Sequence, residues 1–364
     1  MAGSTGSSRP GRGPAPHGGV TLSDVAARAG VSSQTVSNAL NNPARLTRET
    51  LERVLAAVAE LGYRPNRSAR ALRNRSSRLI GVKVEAARGD RAALLLDEFL
   101  HALAASAGEA GYHLILCQAA DDASEVMAYD DLLATSDVDA FVLTGAHRDD
   151  PRAAWLRERD VPFASFGRSW DGDDALTWVD VDGGAGVRAA TEHLAEQGHT
   201  RIGYLGWPDD SEVGRDRRDG WLGACADRGL ATDLHAESVD EFDGGVAAGH
   251  GLVEAGATAV VCASDTLALG VLRALHQRGL RAGVDVGVTG FDCSPTSALT
   301  TPGLTSLRQP LAAVAHALVA RLEALLSGAP LDDPHLLLAP ELVVRESSLL
   351  HPAPHHSPDS RSPA

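Results

Sequence analysis

The stretch Thr21–Leu40, TLSDVAARAGVSSQTVSNAL, leaves its backbone few choices. Thr21 can cap a helix whose third residue, Asp24, reaches back to complete a capping box and places negative charge at the positive helix end. Gly30 stands where a left-handed residue closes that helix, and after Val31 comes Ser32, a second N-cap opening the helix Ser33–Leu40. Two helices joined by so short a turn must cross steeply, which is the helix-turn-helix, with Val25, Ala26, Ala29, Val31, Val36 and Leu40 as its core. The outer face is expected to carry Ser33, Gln34, Thr35, Ser37 and Asn38. Short or planar polar side chains of this kind can reach base edges and phosphates from a helix in the major groove. The same face also fits an ordinary solvated helix pair, so the motif alone does not decide.

The next segments narrow the choice. Thr47 can cap a third helix, Arg48–Leu61, whose Leu51, Val54, Leu55, Val58 and Leu61 fall at helical spacing and close a three-helix core before Gly62. Tyr63-Arg64-Pro65-Asn66 then breaks the chain, and Asn66 can cap a short helix with only Ala69, Ala71 and Leu72 to bury, too little to persist alone. The formal charge of −15 argues against nucleic acid if read globally, but from Val20 to Arg75 nine arginines face four acids, a local excess of +5. A basic module on an acidic chain is the electrostatic footprint of a DNA-binding end.

TLSDVAARAGVSSQTVSNALN and ETLERVLAAVAELGYRPNRSARALR resemble, without a gap, the DNA-binding region of the lactose-repressor (LacI/GalR) family of transcription regulators. The resemblance implies that Ser33, Gln34 and Asn38 read bases, and that Thr21, Ser32, Thr35, Asn41, Thr47 and Asn66 hold the phosphate backbone. Ala69 and Leu72 fall on the hinge that two subunits wedge into the minor groove. Leu51 departs from the pattern, since the family often has an arginine there.

Beyond residue 79 apolar runs at Leu79–Val84, His113–Cys117, Ala140–Leu143, Pro162–Phe166, Arg201–Leu205, Ala259–Cys262 and Val286–Thr289 alternate with helical stretches such as Leu94–Ala107, Val187–Gln197, Leu267–Arg278 and Leu311–Leu326. This is the pattern of parallel sheets, whose ligands bind beyond the carboxyl ends of the strands. The residues there include Glu85, Thr144, Arg168, Trp170, Trp207, Asp209, Ser264, Asp265 and Asp292. Carboxylates and guanidinium can each engage neighbouring hydroxyls while tryptophan stacks on a sugar ring, so a carbohydrate is the expected ligand.

Residues 79–350 also look like the periplasmic-binding-protein-like core of the same family, which implies two Rossmann-like parallel-sheet subdomains with crossovers near Thr177, Arg308 and Leu338. On family positions Arg217 is the effector-binding arginine, Ser264 and Asp265 a strand-end pair, and Asp292 a pocket carboxylate, joined by Trp207, Arg168 and Trp170. PFASFGRSW, WVDVDGGAGVRAA, YLGWPDD and DRRDGW look particularly like members sensing cellobiose or other plant oligosaccharides.

The expected fold class is therefore α/β with an N-terminal all-α helix-turn-helix headpiece: residues 20–65 for DNA, 66–76 as hinge, 79–350 as effector-binding and dimerising core. The ends, 1–19 and 351–364, are low in complexity and read as disordered tails. Expected partners are a near-palindromic double-stranded operator, a mono- or oligosaccharide and a second copy of the chain; the alternatives are a corepressor-type regulator sensing a non-sugar molecule and a solute-binding protein without regulatory role, which the attached helix-turn-helix argues against. HPAPHHSPDSRSPA lacks the leucine heptad of family tetramers, so a dimer is expected.

Enzyme readings have little support. Gly184-Ala-Gly186-Val-Arg-Ala189 matches a dinucleotide fingerprint, but the acid expected at the end of the next strand is absent, and a tight strand-to-helix turn accounts for the glycines. No G-x-S-x-G, H-E-x-x-H or phosphate-binding G-x-x-x-x-G-K-[ST] occurs. Cys117, Cys225, Cys262 and Cys293 have no metal spacing and read as reduced thiols. With no apolar run of about eighteen residues and no signal peptide, the chain is expected to be cytoplasmic, without membrane contact, metal or cofactor.

Overall fold

A computed structural model describes residues 20–63, 76–84, 92–136, 138–208 and 211–349. It divides into two units, residues 1–77 and 78–364.

In the first unit α1 (Leu22–Ala29), α2 (Ser33–Asn41) and α3 (Arg48–Leu61) enclose a core of Val25, Ala26, Ala29, Val36, Ala39, Val54, Ala57 and Tyr63. Thr21 and Asp24 form the reciprocal capping box, and Gly30 and Gly62 close α1 and α3 in the left-handed region. Two expectations fail here. Ser37 is buried, because the tight crossing turns α2 so that Val36, Ser37 and Ala39 all face inward, and Leu55 is 46% exposed. Small Ala57 takes the inner position on α3 that the apolar pattern had offered to Leu55, while Leu51 packs against the core as a partly buried residue. Arg28 joins α1 to α3 through Glu60, 2.6 Å away.

The second unit holds two six-stranded sheets. The first runs β11-β5-β4-β3-β1-β2, comprising β1 Leu79–Val84, β2 His113–Gln118, β3 Ala140–Thr144, β4 Phe163–Phe166, β5 Trp178–Val181 and β11 His335–Leu338, all parallel. The second runs β12-β10-β9-β8-β6-β7, comprising β6 Ile202–Gly206, β7 His235–Glu237, β8 Ala259–Cys262, β9 Gly287–Phe291, β10 Thr305–Arg308 and β12 Glu341–Val343, with only β12 antiparallel. The chain passes from the first sheet to the second between Val181 and Ile202, returns between Arg308 and His335, and crosses again between Leu338 and Glu341. Helix Leu311–Ser327 buries Leu311, Val314, Leu318 and Leu322 on the first sheet; helix Gly183–Glu196 buries Val187, Ala190 and Leu194 on the second. These are the parallel-sheet α/β core that the alternating pattern predicts and the two Rossmann-like lobes that the family resemblance implies.

One close approach sets the geometry of the site. A Cβ on Gly220, within helix Glu212–Arg228, would lie 2.1 Å from the carbonyl oxygen of Gly184 on helix Gly183–Glu196. Gly184 thus serves helix packing, and the backbone contact brings Asp216 and Arg217 to the mouth of the crossover. Cys117, Cys225, Cys262 and Cys293 are all unpaired, three of them buried.

Candidate functional site

The first unit presents one polar surface at the start of α2. Ser33 and Gln34 are exposed, and Asn38 is half-buried. Gln34 Nε2 donates to Asn38 Oδ1 at 3.2 Å, which leaves the Gln34 carbonyl as an acceptor and the Asn38 amide nitrogen as a donor. Ser32 Oγ accepts from the Thr35 backbone N–H at 3.1 Å and lies 2.9 Å from Thr35 Oγ1, so both hydroxyls hold the helix start. Thr47 does the same for α3 through Thr50, and Thr21 for α1. Three exposed helix N-termini carry positive partial charge, the kind of position that phosphates occupy. Asn41 ends α2; Asn66, Ala69 and Leu72 lie outside the described residues.

In the second unit a cavity of about 240 Å³ opens between the lobes. Leu95, Phe99, Phe166, Trp170 and Val213 give it apolar walls, and Arg168, Asp180, Asp216, Arg217 and Gln309 form its polar end. Arg168 follows β4, and its Nε donates to Asp180 Oδ2 at 2.6 Å within its own lobe. Its Nη1 reaches Asp216 Oδ1 at 3.4 Å on the other lobe, and its guanidinium lies 4.9 Å from the Trp170 ring. Asp216 also accepts from the Gly184 backbone N–H at 2.9 Å. Burial raises the Asp216 carboxyl above the ordinary carboxylate range, against the lowering effect of Arg168 and the Gly184 hydrogen bond.

Arg217 is 5% exposed. Its guanidinium stacks 3.6 Å from the Phe291 ring centroid and 4.8 Å from that of Trp207, and Nη1 donates to the Ala263 carbonyl. Arg217 Nε, Trp170 Nε1 and Trp207 Nε1 are buried donors with no partner among the described residues. Arg217 and Trp170 line the cavity; Trp207 packs beneath Arg217 on the second-lobe core. Asp292 is partly buried just behind this wall, accepting from Gln309 Nε2 at 2.8 Å. Burial pushes its carboxyl up to about 7, with Arg217 opposing the shift.

Ser264 and Asp265 are not among the cavity-lining residues. Ser264 caps helix Asp265–Gln277 through the Leu267 N–H and donates to Asp240; Asp265 accepts from Ser306 Oγ at 2.5 Å and from the Ser294 N–H at 2.7 Å. Both are occupied in holding the strand ends. Conversely, Asp180, Asp216 and Gln309 line the cavity without having been singled out from sequence. Asp216 adjoins Arg217, the arginine that the family resemblance singles out, and that adjacency is the available signal; nothing marks Gln309 before β10 and Leu311–Ser327 are placed. Glu85 and Asp209 lie outside the described residues.

A three-helix unit with an exposed polar recognition face, joined in one chain to a two-lobed α/β unit with an interlobe cavity, defines a ligand-responsive DNA-binding regulator. Residues 21–66 match the bacterial regulatory proteins of the lacI family, and residues 191–348 match the periplasmic binding protein-like domain. The helix-turn-helix-type transcriptional regulator CelR of Thermobifida fusca is 33% identical over 338 residues, 90% of this chain and 98% of that protein. A solved CelR–cellobiose complex aligns at TM-score 0.68 and 31% identity, covering 90% of this chain and 99% of that one. The lac repressor dimer bound to operator and the anti-inducer ONPF aligns at TM-score 0.78 and 30% identity, covering 91% and 99%. The chain belongs to the lacI family of bacterial regulatory proteins: it is a DNA-binding transcriptional regulator and not an enzyme. No described helix is long and apolar enough to cross a membrane.

Proposed function

We propose that this chain is a repressor of carbohydrate uptake or catabolism genes, released from a near-palindromic operator when a sugar enters the interlobe cavity. The observation that carries the reading is the polar end of that cavity, where the buried donors of Arg217 and Trp170 stand without partners beside the carboxylates of Asp180 and Asp216. Donors and acceptors interleaved next to aromatic and aliphatic walls suit a ring bearing hydroxyls. The solved relative holding cellobiose supports the same ligand class.

In this reading Arg217, Arg168 and Trp170 touch the sugar, Asp292 acts through Gln309 and Arg217, and Trp207, Ser264 and Asp265 shape the second-lobe wall. Ser33, Gln34 and Asn38 read bases; Thr21, Ser32, Thr35, Asn41, Thr47 and Asn66 hold phosphates; Ala69 and Leu72 enter the minor groove as a homodimer closes on its operator. The operator-bound lac repressor dimer supports this assembly. Coupling requires the sugar to bind the operator-incompetent arrangement more tightly, by about 2.7 kcal/mol for a hundredfold loss of operator affinity.

The test is an operator-binding titration in which mono- and disaccharides are added to the full-length protein. Release by one of them at constant salt is the expected result. Tightening of the complex would reverse the direction of control, and indifference to every sugar would remove the carbohydrate reading.

A further inference from the structure

The space around Arg168 continues beyond the interlobe cavity. A second chamber of about 120 Å³ adjoins it on the first lobe, and Ala146 and Arg168 belong to the walls of both. We propose that this chamber is a subsite for a second sugar ring, so that the effector has at least two rings, and that the buried hydroxyl of Ser165 selects it over a monosaccharide. The proposal rests on the sugar-effector reading and deepens it by fixing the size of the ligand.

The period of β4 places the chamber. Alternate residues of a strand face opposite sides of its sheet. Phe166 faces the side where Phe99 and helix Leu311–Ser327 pack, and it lines the main cavity. Ser165 faces the other side, where Leu143, Ala153 and Leu176 form the floor of the chamber. The two spaces meet beyond the carboxyl end of the strand, at the loops that carry Ala146 and Gly167. Gly167 holds a φ of 118°, and a Cβ there would lie 3.1 Å from the Ala146 Cβ. A larger residue at 167 would therefore crowd the junction, besides straining the backbone.

The lining points to a ligand. Ser165 interrupts an otherwise apolar floor: it is 1% exposed, and its Oγ has no partner among the described residues. A buried hydroxyl without a partner costs stability, which a ligand entering the chamber would restore. A water at the floor would find one hydroxyl among apolar side chains, fewer polar partners than the roughly two to four that a buried water takes. Nearer the mouth, Ser169 Oγ accepts the Asp173 N–H at 3.0 Å and keeps its own proton to donate, and exposed Asp149 adds a carboxylate. Apolar floor, donating and accepting hydroxyls and a carboxylate repeat the chemistry of the main cavity. A pyranose, with hydroxyls around its edge and C–H groups on its faces, matches both.

Ser165 is the discriminating position because a single ring held by Arg217 and Trp170 stays on the Phe166 side of the sheet. Only a ligand long enough to pass Arg168 reaches the Ser165 hydroxyl. Ser165→Ala removes that hydroxyl and adds no bulk. Ala153→Leu, on helix Pro151–Arg157, instead fills the chamber from its floor. Both changes should act on the second ring and spare the first.

The experiment is isothermal titration of the full-length protein with glucose, galactose and xylose against cellobiose, maltose, lactose and xylobiose. Operator release is read in parallel by fluorescence anisotropy. In wild type the best disaccharide is expected to bind at least about tenfold more tightly than its own monosaccharide. Ser165→Ala should remove most of that gap, with a melting temperature unchanged or raised, because an unpartnered hydroxyl is lost, and with operator affinity in the absence of sugar unchanged. Ala153→Leu should remove the gap as well. A monosaccharide that binds wild type as tightly as every disaccharide built from it overturns the proposal while leaving the effector reading intact. A gap that survives in Ser165→Ala also overturns it, since the second ring then lies elsewhere, and this holds whether or not Ala153→Leu folds. Failure of every sugar overturns both.

Discussion

Arg168 Nη1 lies 3.4 Å from Asp216 Oδ1, and the two residues belong to different lobes. One helical turn before Asp216, Glu212 lies 3.6 Å from Arg148, also of the first lobe, so two carboxylates on one face of helix Glu212–Arg228 meet two first-lobe arginines. The pairs differ in setting. Arg148 is 55% exposed in its side chain and does not line the cavity, whereas Arg168 is 20% exposed and does. A pair whose arginine is solvated contributes about 0–1 kcal/mol, and Glu212 keeps Arg215 at 2.6 Å, while a charged hydrogen-bonding group at a ligand contributes about 1.5–3 kcal/mol. Arg148→Ala should therefore leave the melting temperature and sugar affinity nearly unchanged. Arg168→Ala should weaken the sugar by about tenfold or more at unchanged operator affinity. Equal effects of the two substitutions on sugar binding would show that lobe closure, and not contact, carries the Arg168 contribution.

A pH dependence follows from Asp292. Its backbone holds a φ of 103°, and burial pushes its carboxyl up to about 7 from an ordinary 3.8. The folded protein then keeps a proton that the unfolded chain has released, so folding takes up a proton between those two values and stability falls as pH rises through the interval. Above about 7 the penalty is complete. Asp292→Asn abolishes the titration, and comparison with wild type cancels the contributions of other raised acids such as Asp216 and Asp265. The melting-temperature difference should shift in favour of the asparagine variant between about pH 5 and about pH 8. A difference that stays flat would place the Asp292 carboxyl in the ordinary range.

For DNA reading the linked pair Gln34 and Asn38 is expected to act together. Gln34 offers an acceptor and Asn38 a donor on one surface, the complement of an adenine edge in the major groove. Gln34→Ala should cost about 1–3 kcal/mol at one base pair per half-site and relax the preference there. Thr35→Ala, which removes a hydroxyl from the helix start, should weaken all sequences alike. Binding-site selection compares the two directly; a Gln34→Ala protein with parental base preferences would exclude Gln34 from base reading.

The local elements were legible where a single segment carries its own signal. Caps and left-handed glycines around Thr21, Gly30, Ser32 and Gly62 determine α1–α3, and apolar runs locate β1, β3 and β8. The strands β7, β11 and β12 are short and half-exposed, so no run of buried residues marks them. The same reason hid part of the cavity. Asp216 and Gln309 matter only because distant segments meet: Gly184 must touch Gly220 before Asp216 can bridge to Arg168, and Gln309 must follow β10 before it can reach Asp292. Ser264 and Asp265 show the converse, since a strand-end acid and hydroxyl can be consumed by Ser306, Ser294 and the helix start before any ligand arrives.

Two helical glycines provide the sharpest stability test. In an ordinary helix interior, replacing glycine by alanine is stabilising by about 0.5–1 kcal/mol, because glycine loses more backbone freedom on folding. Gly251, in helix Phe242–Glu254, has open space around an added Cβ and should follow that rule. Gly220 should do the opposite. Its Cβ would sit 2.1 Å from the Gly184 carbonyl oxygen, a backbone atom that cannot swing aside, so helices Gly183–Glu196 and Glu212–Arg228 must separate. Such overpacking costs about 1–3 kcal/mol. Separation also pulls Asp216 from the Gly184 N–H, now 2.9 Å away, and with it the arginine beside it. Gly220→Ala is thus expected to lower the melting temperature and weaken sugar binding together, while Gly251→Ala raises the first and leaves the second unchanged. A Gly220→Ala protein with parental sugar affinity would mean that the helix contact holds the lobe together without positioning its cavity residues.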